Sequence, residues 1–141
     1  KKKKRKRVIS KMEYHVTVKG FKSGLNELLS GKVYDHRTKK YRNIIKNRND
    51  ALCMKFINLS NLKGKRIEKP IIIHYRFYVE NKMHDRMNTA SAFIKSFEDA
   101  LQKCRIICND GYDDVLTPTL YFEVDRQNPR VEVTVEVVED E

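Results

Sequence analysis

Four segments of the chain alternate apolar with polar residues, which is the pattern of β-strands that bury one face. These segments are residues 14–19, 71–80, 119–124 and 131–138. The second is the clearest. Its odd-numbered positions from Ile71 to Val79 are aliphatic or aromatic and its other face is only partly polar, so we expect a central strand. The last two segments flank the turn sequence DRQNPR and are predicted to form a closing hairpin.

Two further segments carry apolar residues at helical spacing. The first covers residues 42–59, with apolar positions at Ile44, Ile45, Leu52, Phe56 and Leu59. The second covers residues 88–104, begins near Asn88 or Thr89, and has an apolar stripe of Ala90, Phe93, Ile94, Phe97, Ala100, Leu101 and Cys104. With 141 residues the chain has room for one domain, and these elements predict an α+β fold with two or more helices packed on a mixed β-sheet.

Composition narrows the class of protein. The sequence contains no stretch of about 18 apolar residues and no apolar segment after its basic start, so neither a transmembrane helix nor a secretory signal is predicted. Its three cysteines form no CxxC pair, which indicates reduced thiols rather than a disulfide framework or a zinc knuckle. We therefore expect a cytoplasmic protein without a membrane partner.

Charge is distributed unevenly along the chain, whose formal net charge is +11. Residues 1–70 hold 22 Lys and Arg against five Asp and Glu, whereas residues 71–141 hold eight against 14. The first half is expected to bind a polyanion, most commonly a nucleic acid, and the second could hold a cation. A metal-dependent nuclease needs both features, although an ordinary domain with uneven surface charge has them too.

The basic residues fall into two groups. Residues 1–7, KKKKRKR, are predicted to belong to a flexible arm at residues 1–12 that precedes a domain at residues 13–141, with a nuclear-localisation signal as the alternative. The second group lies before and within the first helix, which is expected to carry Lys46, Arg48 and Lys55 outward. The candidate DNA contacts are Arg37, Lys39, Lys40, Arg42, Lys46 and Arg48, with a simply solvated surface as the alternative.

Several acidic residues lie within the second predicted helix or directly beside it in the sequence. In projection, Asn88, Lys95 and Asp99 lie on the side opposite the apolar stripe. The acidic residues that flank the helix are Asp85 before it and Asp110, Asp113 and Asp114 after it. Oxygen ligands at a strand end and in a returning loop can converge on one Mg²⁺ ion, beside which a lysine could stabilise charge on a phosphate. An exposed polar helix face followed by an Asp-rich turn is the structural alternative.

The same segment resembles the RusA family of Holliday-junction resolvases. The residues that carry the likeness are Asp85-Arg-Met-Asn88, Lys95, Glu98-Asp-Ala-Leu101 and Asn109-Asp110. The family pattern is Asp-x-Asp-Asn, a helical Lys, Asp-Ala-Leu or Asp-Gly-Leu, and an Asp-Asp pair about ten residues further on. The likeness extends over most of residues 14–138, and its specific core is residues 85–110.

This resemblance implies a RusA-like fold and Mg²⁺-dependent hydrolysis of phosphodiesters in branched DNA, with Mn²⁺ as an alternative metal. Asp85 and Asp110 would be catalytic metal ligands, and Lys95 would be the catalytic lysine, about one turn further along the helix than in the family pattern. Asp99 and Asn109 would complete the metal ligands. The resemblance also implies a bacterial or phage-encoded homodimer that cuts four-way junctions at two symmetric positions and uses no small-molecule cofactor.

Two departures from the family pattern leave alternatives open. Met87 stands where the family has its second Asp, and Asn109 stands for the first Asp of the pair. A thioether is a poor Mg²⁺ ligand, whereas the carbonyl oxygen of Asn can still bind the ion. Either Asp99, Asp113 or Asp114 compensates, or the protein binds branched DNA and cuts it slowly or not at all. A basic RNA- or DNA-binding module unrelated to junctions is the third alternative.

Overall fold

The alternating segments form the strands of the main β-sheet, and the helical segments pack against its apolar side. The computed structural model describes residues 12–21, 32–81 and 86–139. In chain order the elements are β1 (Met12–Val18), β2 (Lys32–Asp35), β3 (Lys40–Asn43), α1 (Ile44–Asn58), β4 (Ile71–Val79), α2 (Arg86–Lys103), β5 (Thr119–Val124) and β6 (Arg130–Val137). Of the predicted basic arm, residues 1–11 lie outside the described residues and Met12 belongs to β1.

The main sheet is mixed and has the strand order β1-β6-β4-β5. β6 pairs antiparallel with both β1 and β4. β5 pairs parallel with β4, because α2 carries the chain back along the sheet between them. The prediction of a single α+β domain with a mixed sheet and two helices is confirmed, as is the central position of the strand that begins at Ile71.

The predicted hairpin of the last two strands is wrong. β4 lies between β5 and β6, so that Phe77 is in register with Phe122 on one side and with Val131 on the other. The connection from β5 to β6 passes the end of β4, where the Asp125 N–H donates to the Val79 carbonyl oxygen at 2.7 Å. The turn residues correctly indicated a change of direction, but the crossover through α2 places β5 on one edge of β4 and leaves β6 to pair with the other.

The core lies between the sheet and the two helices. The inner face of β4 is buried from Ile71 to Phe77, and α2 covers it with the predicted apolar stripe. Tyr75 meets Phe93 and Phe97 edge-on, at ring-centroid distances of 5.9 and 6.2 Å. Burial of these rings is a large share of the apolar stabilisation of the fold. Within the described ranges, no helix combines the length and apolarity that a membrane span requires.

The helices differ from their predictions in two respects. Leu59 was expected in the buried face of the first helix, yet it lies beyond the end of α1 and is 71% exposed. The buried positions of α1 are Asn49, Asp50, Cys53 and Ile57. The predicted apolar residues Leu52 and Phe56 are half-buried and pack against the core, so the apolar pattern identified the helix and part of its packed face, but not the buried polar residues. α2 begins at Arg86, slightly before the expected start at Asn88 or Thr89.

A hairpin of β2 and β3, absent from the sequence prediction, leads directly into α1. Its strands pair antiparallel with Asp35 opposite Lys40, and the turn at residues 36–39 places Lys39 at a φ of 57°. Each of these strands has only four residues, which is too short for an alternation to be recognised in the sequence. Arg37 and Lys39 are exposed in the turn, so the hairpin presents positive charge close to the start of α1.

The opposite side of the main sheet carries the alternate residues of each strand, and we term it the outer face. Its residues are Glu13, His15, Thr17, Ile72, His74, Arg76, Tyr78, Thr119, Tyr121, Glu123, Arg130, Glu132, Thr134 and Glu136. Arg76 lies over the ring of Tyr121 at 4.4 Å and donates a hydrogen bond to the Tyr78 hydroxyl at 3.1 Å. The outer face is therefore polar and cross-linked from strand to strand.

Candidate functional site

Five charged side chains of alternating sign connect α1 to α2. In the order of their contacts they are Lys95, Asp99, Lys46, Asp50 and Lys103, and we term them the charge network. The Lys46–Asp50 and Lys95–Asp99 pairs join residues one helical turn apart. The other two pairs join the helices: Lys46 Nζ lies 2.9 Å from Asp99 Oδ2, and Lys103 Nζ lies 3.0 Å from Asp50 Oδ2.

Asp50 is the most deeply buried member of the charge network. Its side chain is only 5% exposed, and each of its carboxylate oxygens lies 2.7 Å from Lys46 Nζ. A carboxylate removed from water needs charged or hydrogen-bonding partners, and Lys46 and Lys103 supply them from less buried positions. Asp50 therefore determines where both ammonium groups lie at the contact of the two helices.

Asp99, predicted as a metal ligand, has both carboxylate oxygens engaged. Oδ1 accepts a hydrogen bond from Lys95 at 3.2 Å, and Oδ2 accepts one from Lys46 at 2.9 Å. Partial burial opposes the ionisation of Asp99, but the two hydrogen bonds outweigh it and the pKa of Asp99 is lowered. Asp99 is thus an ionised carboxylate whose charge is already balanced by lysines.

The expectation that Lys46 points outward is wrong. Its side chain is 29% exposed and is directed between Asp50 and Asp99. Burial alone would lower the pKa of Lys46, but its hydrogen bonds to these two carboxylates raise it instead. Helical spacing placed Lys46 away from the apolar positions of α1, and α2 packs against that polar side. Of these two candidate DNA contacts, Lys46 is partly buried between two carboxylates, whereas Arg48 is exposed.

Glu98 is a candidate residue that the sequence prediction did not include among the sites. Burial, and after it the negative charge of Asp110, raises the pKa of the Glu98 carboxyl to about 7, while the Lys95 ammonium group acts in the opposite direction. Asp110 and Lys95 are therefore close enough to Glu98 to affect its ionisation. The only signal in the sequence was its position in the Glu98-Asp-Ala-Leu101 segment, directly beside Asp99.

Two buried protic side chains lie on the inner side of this region. The Tyr75 hydroxyl is buried and makes no hydrogen bond with the part of the chain that the structure describes, and burial raises its pKa well above the ordinary value, with a further contribution from Glu98. Burial also raises the pKa of the Cys53 thiol to about 12, with a further contribution from Asp50. Both groups stay protonated at neutral pH, so neither is a nucleophile there.

Asp110 lies in a loop that is tied to the start of β4. The Ile71 N–H donates to the Asp114 carbonyl oxygen at 3.0 Å. Within the loop, Asn109 Oδ1 accepts the Gly111 N–H at 3.0 Å, so this predicted metal ligand already has one partner. The exposed carboxylates of the loop are Asp110, Asp113 and Asp114. The loop therefore holds its carboxylates at the end of the sheet where β4 begins.

The beginning of α2 is distant from this loop. Asn88 precedes Glu98 by ten residues, which corresponds to a rise of about 15 Å along the helix. Met87, at the same end, is 62% exposed. The predicted and newly found residues that the structure brings together are Lys95, Glu98, Asp99 and Asp110. Asn88 shares a helix face with Lys95 but not a site, and Asp85 lies outside the described residues.

The donor set fits a divalent cation in part. Among residues 12–21, 32–81 and 86–139, no group of three or more His, Cys, Asp or Glu side chains is arranged to hold a metal ion. Glu98 and Asp110 supply two carboxylates whose mutual repulsion a cation would relieve. Mg²⁺ is commonly held by one or two carboxylates together with substrate phosphates, so this pair suits it. Asp99 suits it poorly, because each of its oxygens faces a lysine.

The candidate DNA contacts lie in and after the hairpin. Arg37 and Lys39 are exposed in its turn, and Lys40 and Arg42 lie on β3. Arg48, on α1, is exposed and donates a hydrogen bond to the Gly20 carbonyl oxygen at 3.3 Å. β3 continues directly into α1, and α1 contacts α2 through the charge network. The candidate DNA contacts are therefore connected to the carboxylates of α2 through adjoining elements of the fold.

The resemblance to RusA resolvases is one of motif order and spacing. No protein-family model matches this chain, and no curated protein matches it either. The motif residues that the structure describes lie on α2 and in the loop after it, with Lys95 and Asp99 in direct contact. Function must therefore be argued from these side chains themselves.

Proposed function

We propose that this protein is a Mg²⁺-dependent endonuclease that cuts branched DNA, as the RusA-like motif implies. The observation that carries the proposal is the grouping of Lys95, Glu98 and Asp110 at the second half of α2. A carboxyl group whose pKa is raised by burial and by a neighbouring carboxylate, with a lysine close by, suits phosphodiester hydrolysis with a divalent metal. The reaction is proposed for bacterial or phage DNA in the cytoplasm.

Each group in this proposal has a separate task. Glu98 and Asp110 would hold the cation, which when bound supplies an activated water and offsets charge on the scissile phosphate. Lys95 would offer N–H groups to a phosphate oxygen: an ammonium group has three donors, and Asp99 takes one of them. The 63% exposure of the Lys95 side chain leaves room for such a contact.

The basic residues of the hairpin, together with the exposed Arg48 of α1, are proposed to bind the DNA backbone. Contacts from lysine and arginine to phosphates carry no sequence information, so selectivity for junctions would come from the shape of the DNA. Affinity should fall steeply as salt increases, because each neutralised phosphate releases counterions. A homodimer is proposed as the active form, since two symmetric cuts in a four-way junction need two sites related by a two-fold axis.

Cleavage of a synthetic four-way junction, compared with linear duplex, tests this proposal. We expect paired, symmetric nicks in the junction with Mg²⁺ or Mn²⁺ and none with EDTA. Asp110→Asn should abolish the nicks, whereas Glu132→Gln, which removes a carboxylate of the outer face, should retain them. Equal affinity for junction, linear duplex and single strand, without any cut, would instead indicate a general nucleic-acid-binding module.

A second candidate is a branched-DNA-binding protein with weak or absent cleavage. Met87 favours it, because an exposed thioether stands where the RusA pattern has an aspartate. The engagement of Asp99 by two lysines favours it as well. This candidate predicts tight junction binding without nicks under any metal. A gain of cleavage in Met87→Asp would show that the site is weakened rather than lost.

A further inference from the structure

We infer that Asp99 and Lys46 are positioning residues that hold the ammonium group of Lys95, and that Asp99 is not a metal ligand. The inference rests on the proposed nuclease function, which assigns Lys95 to the scissile phosphate, and adds how that lysine is held. Its basis is the sequence of contacts from Lys95 to Asp99 at 3.2 Å, from Asp99 to Lys46 at 2.9 Å, and from Lys46 into the buried carboxylate of Asp50 at 2.7 Å.

The contact between Lys95 and Asp99 cannot fix the lysine by itself. An exposed ion pair at i,i+4 spacing on a helix is weak, so the two side chains separate much of the time. A long side chain that is 63% exposed also has many rotamers to lose. A further restraint on Asp99 is therefore needed if Lys95 is to stay in one place.

Lys46 supplies that restraint. It bonds to Asp99 Oδ2, which leaves Oδ1 directed at Lys95. Lys46 is itself held by both oxygens of Asp50, whose side chain is 5% exposed, and Lys103 also donates a hydrogen bond to Asp50 Oδ2. The side chains are thus progressively less restrained, from the buried carboxylate of Asp50 on α1 to the exposed ammonium group of Lys95 on α2.

The same contacts argue against metal binding by Asp99. Mg²⁺ bound there would have to displace a lysine ammonium group from one of the two oxygens. Displacement of Lys46 from Asp99 Oδ2 would also break the contact that joins α1 to Asp99. Two variants separate the possibilities: Asp99→Asn removes the charge next to Lys95, and Lys46→Met removes the restraint on Asp99 while keeping a straight side chain. Lys55→Met, at an exposed position of α1, is the matched control.

The first measurement uses the full-length protein without DNA or metal. Side-chain NMR relaxation of selectively labelled lysines should show Lys95 more restricted than the exposed Lys63. Asp99→Asn and Lys46→Met should each raise the mobility of Lys95 to that of Lys63, while Lys55→Met leaves it unchanged. Far-UV circular dichroism and a melting curve verify that each variant is folded, and Asp99→Asn keeps the Lys46–Asp50 contact if Lys46→Met proves unstable. An equally mobile Lys95 in the unmodified protein would overturn the inference.

The second measurement is junction cleavage as a function of Mg²⁺ concentration. Positioning predicts that Asp99→Asn and Lys46→Met lower kcat about tenfold to a hundredfold, with the half-saturating Mg²⁺ concentration and the junction Kd unchanged. If Asp99 is a metal ligand, Asp99→Asn raises the half-saturating Mg²⁺ concentration and Lys46→Met lowers it, because it frees the carboxylate. That result would overturn the inference. Absence of cleavage by the unmodified protein would overturn the proposed function, while the NMR measurement still decides how Lys95 is held.

Discussion

The contact between the two helices and the outer face of the main sheet both contain paired charges, but in different surroundings. Between the helices, Asp50 is almost fully buried and its lysine partners are held at 2.7 and 3.0 Å. On the outer face, Arg130 Nε approaches Glu132 at 2.8 Å, yet the Glu132 side chain is 40% exposed. The pair distances are alike, and the exposure of the carboxylates differs eightfold.

This difference in exposure determines which ion pairs contribute to the stability of the fold. Water reaches the Glu132 carboxylate and can replace Arg130 as its partner, so this pair contributes little. Water cannot replace the partners of Asp50, so the loss of one leaves a charge in an unfavourable environment. The outer face is a solvated surface, whereas the charge network fixes the relative position of α1 and α2 and the side chains that extend from them.

The largest expected effect follows from removing the buried charge. Asp50→Asn keeps the size of the side chain but leaves Lys46 and Lys103 without their shared carboxylate, and should lower the free energy of unfolding by about 2–3 kcal/mol. Glu132→Gln, the matched change on the outer face, should leave the urea midpoint unchanged within error. Equilibrium urea unfolding of both variants measures the difference. Equal losses of stability would mean that burial does not distinguish the two regions.

A smaller effect should depend on pH. Glu98 has a pKa raised from 4.5 to about 7, so below pH 4.5 it is protonated in both the folded and unfolded chain, and the stability it contributes is fully present. That contribution is lost as the pH rises through about 7, because the carboxylate is then ionised in the unfolded chain and folding must half-bury its charge. Glu98→Gln should be more stable than the unmodified protein at pH 8, by about 1–2 kcal/mol after allowance for its partial exposure.

The measurement for Glu98 is thermal or urea unfolding of both proteins at several pH values. The two curves should meet near pH 4 and separate as the pH increases. A constant difference at all pH values would attribute the effect to packing rather than to ionisation. Addition of Mg²⁺ at pH 8 should reduce the difference if Glu98 and Asp110 hold the cation, since a bound ion stabilises the folded state of the unmodified protein alone.

The smallest expected effect concerns the Tyr75 hydroxyl, which is buried without a hydrogen bond. Tyr75→Phe removes a polar atom that gained nothing from folding and keeps the ring contacts with Phe93 and Phe97. It should therefore raise the free energy of unfolding, by about 1 kcal/mol or less. A loss of stability, measured by thermal unfolding, would show that the hydroxyl has a partner such as a buried water molecule.

Local patterns in the sequence were sufficient for a substantial part of the fold. Alternation predicted the inner face of β4, and helical spacing predicted the buried apolar residues of α2, because both periods are set by the geometry of each element alone. The buried polar residues Thr89 and Ser96 of α2 were not predicted, and the predicted Cys104 lies beyond its end. The partners of the strands were not predicted either, since β5 and β6 are adjacent in sequence and separated by β4 in space. For the candidate site, the sequence singled out Lys95, Asp99 and Asp110 but not Glu98.

What the sequence by itself determined is the α+β class, the elements with a clear period, and the uneven charge that suggests a nucleic-acid partner. The tertiary structure alone decided which polar residues are buried, because Asp50 and Lys46 become an internal pair only when α2 packs on α1. It also decided that Glu98 would share its surroundings with Asp110. Burial and charge–charge distance depend on residues far apart in the chain, and no local period encodes them.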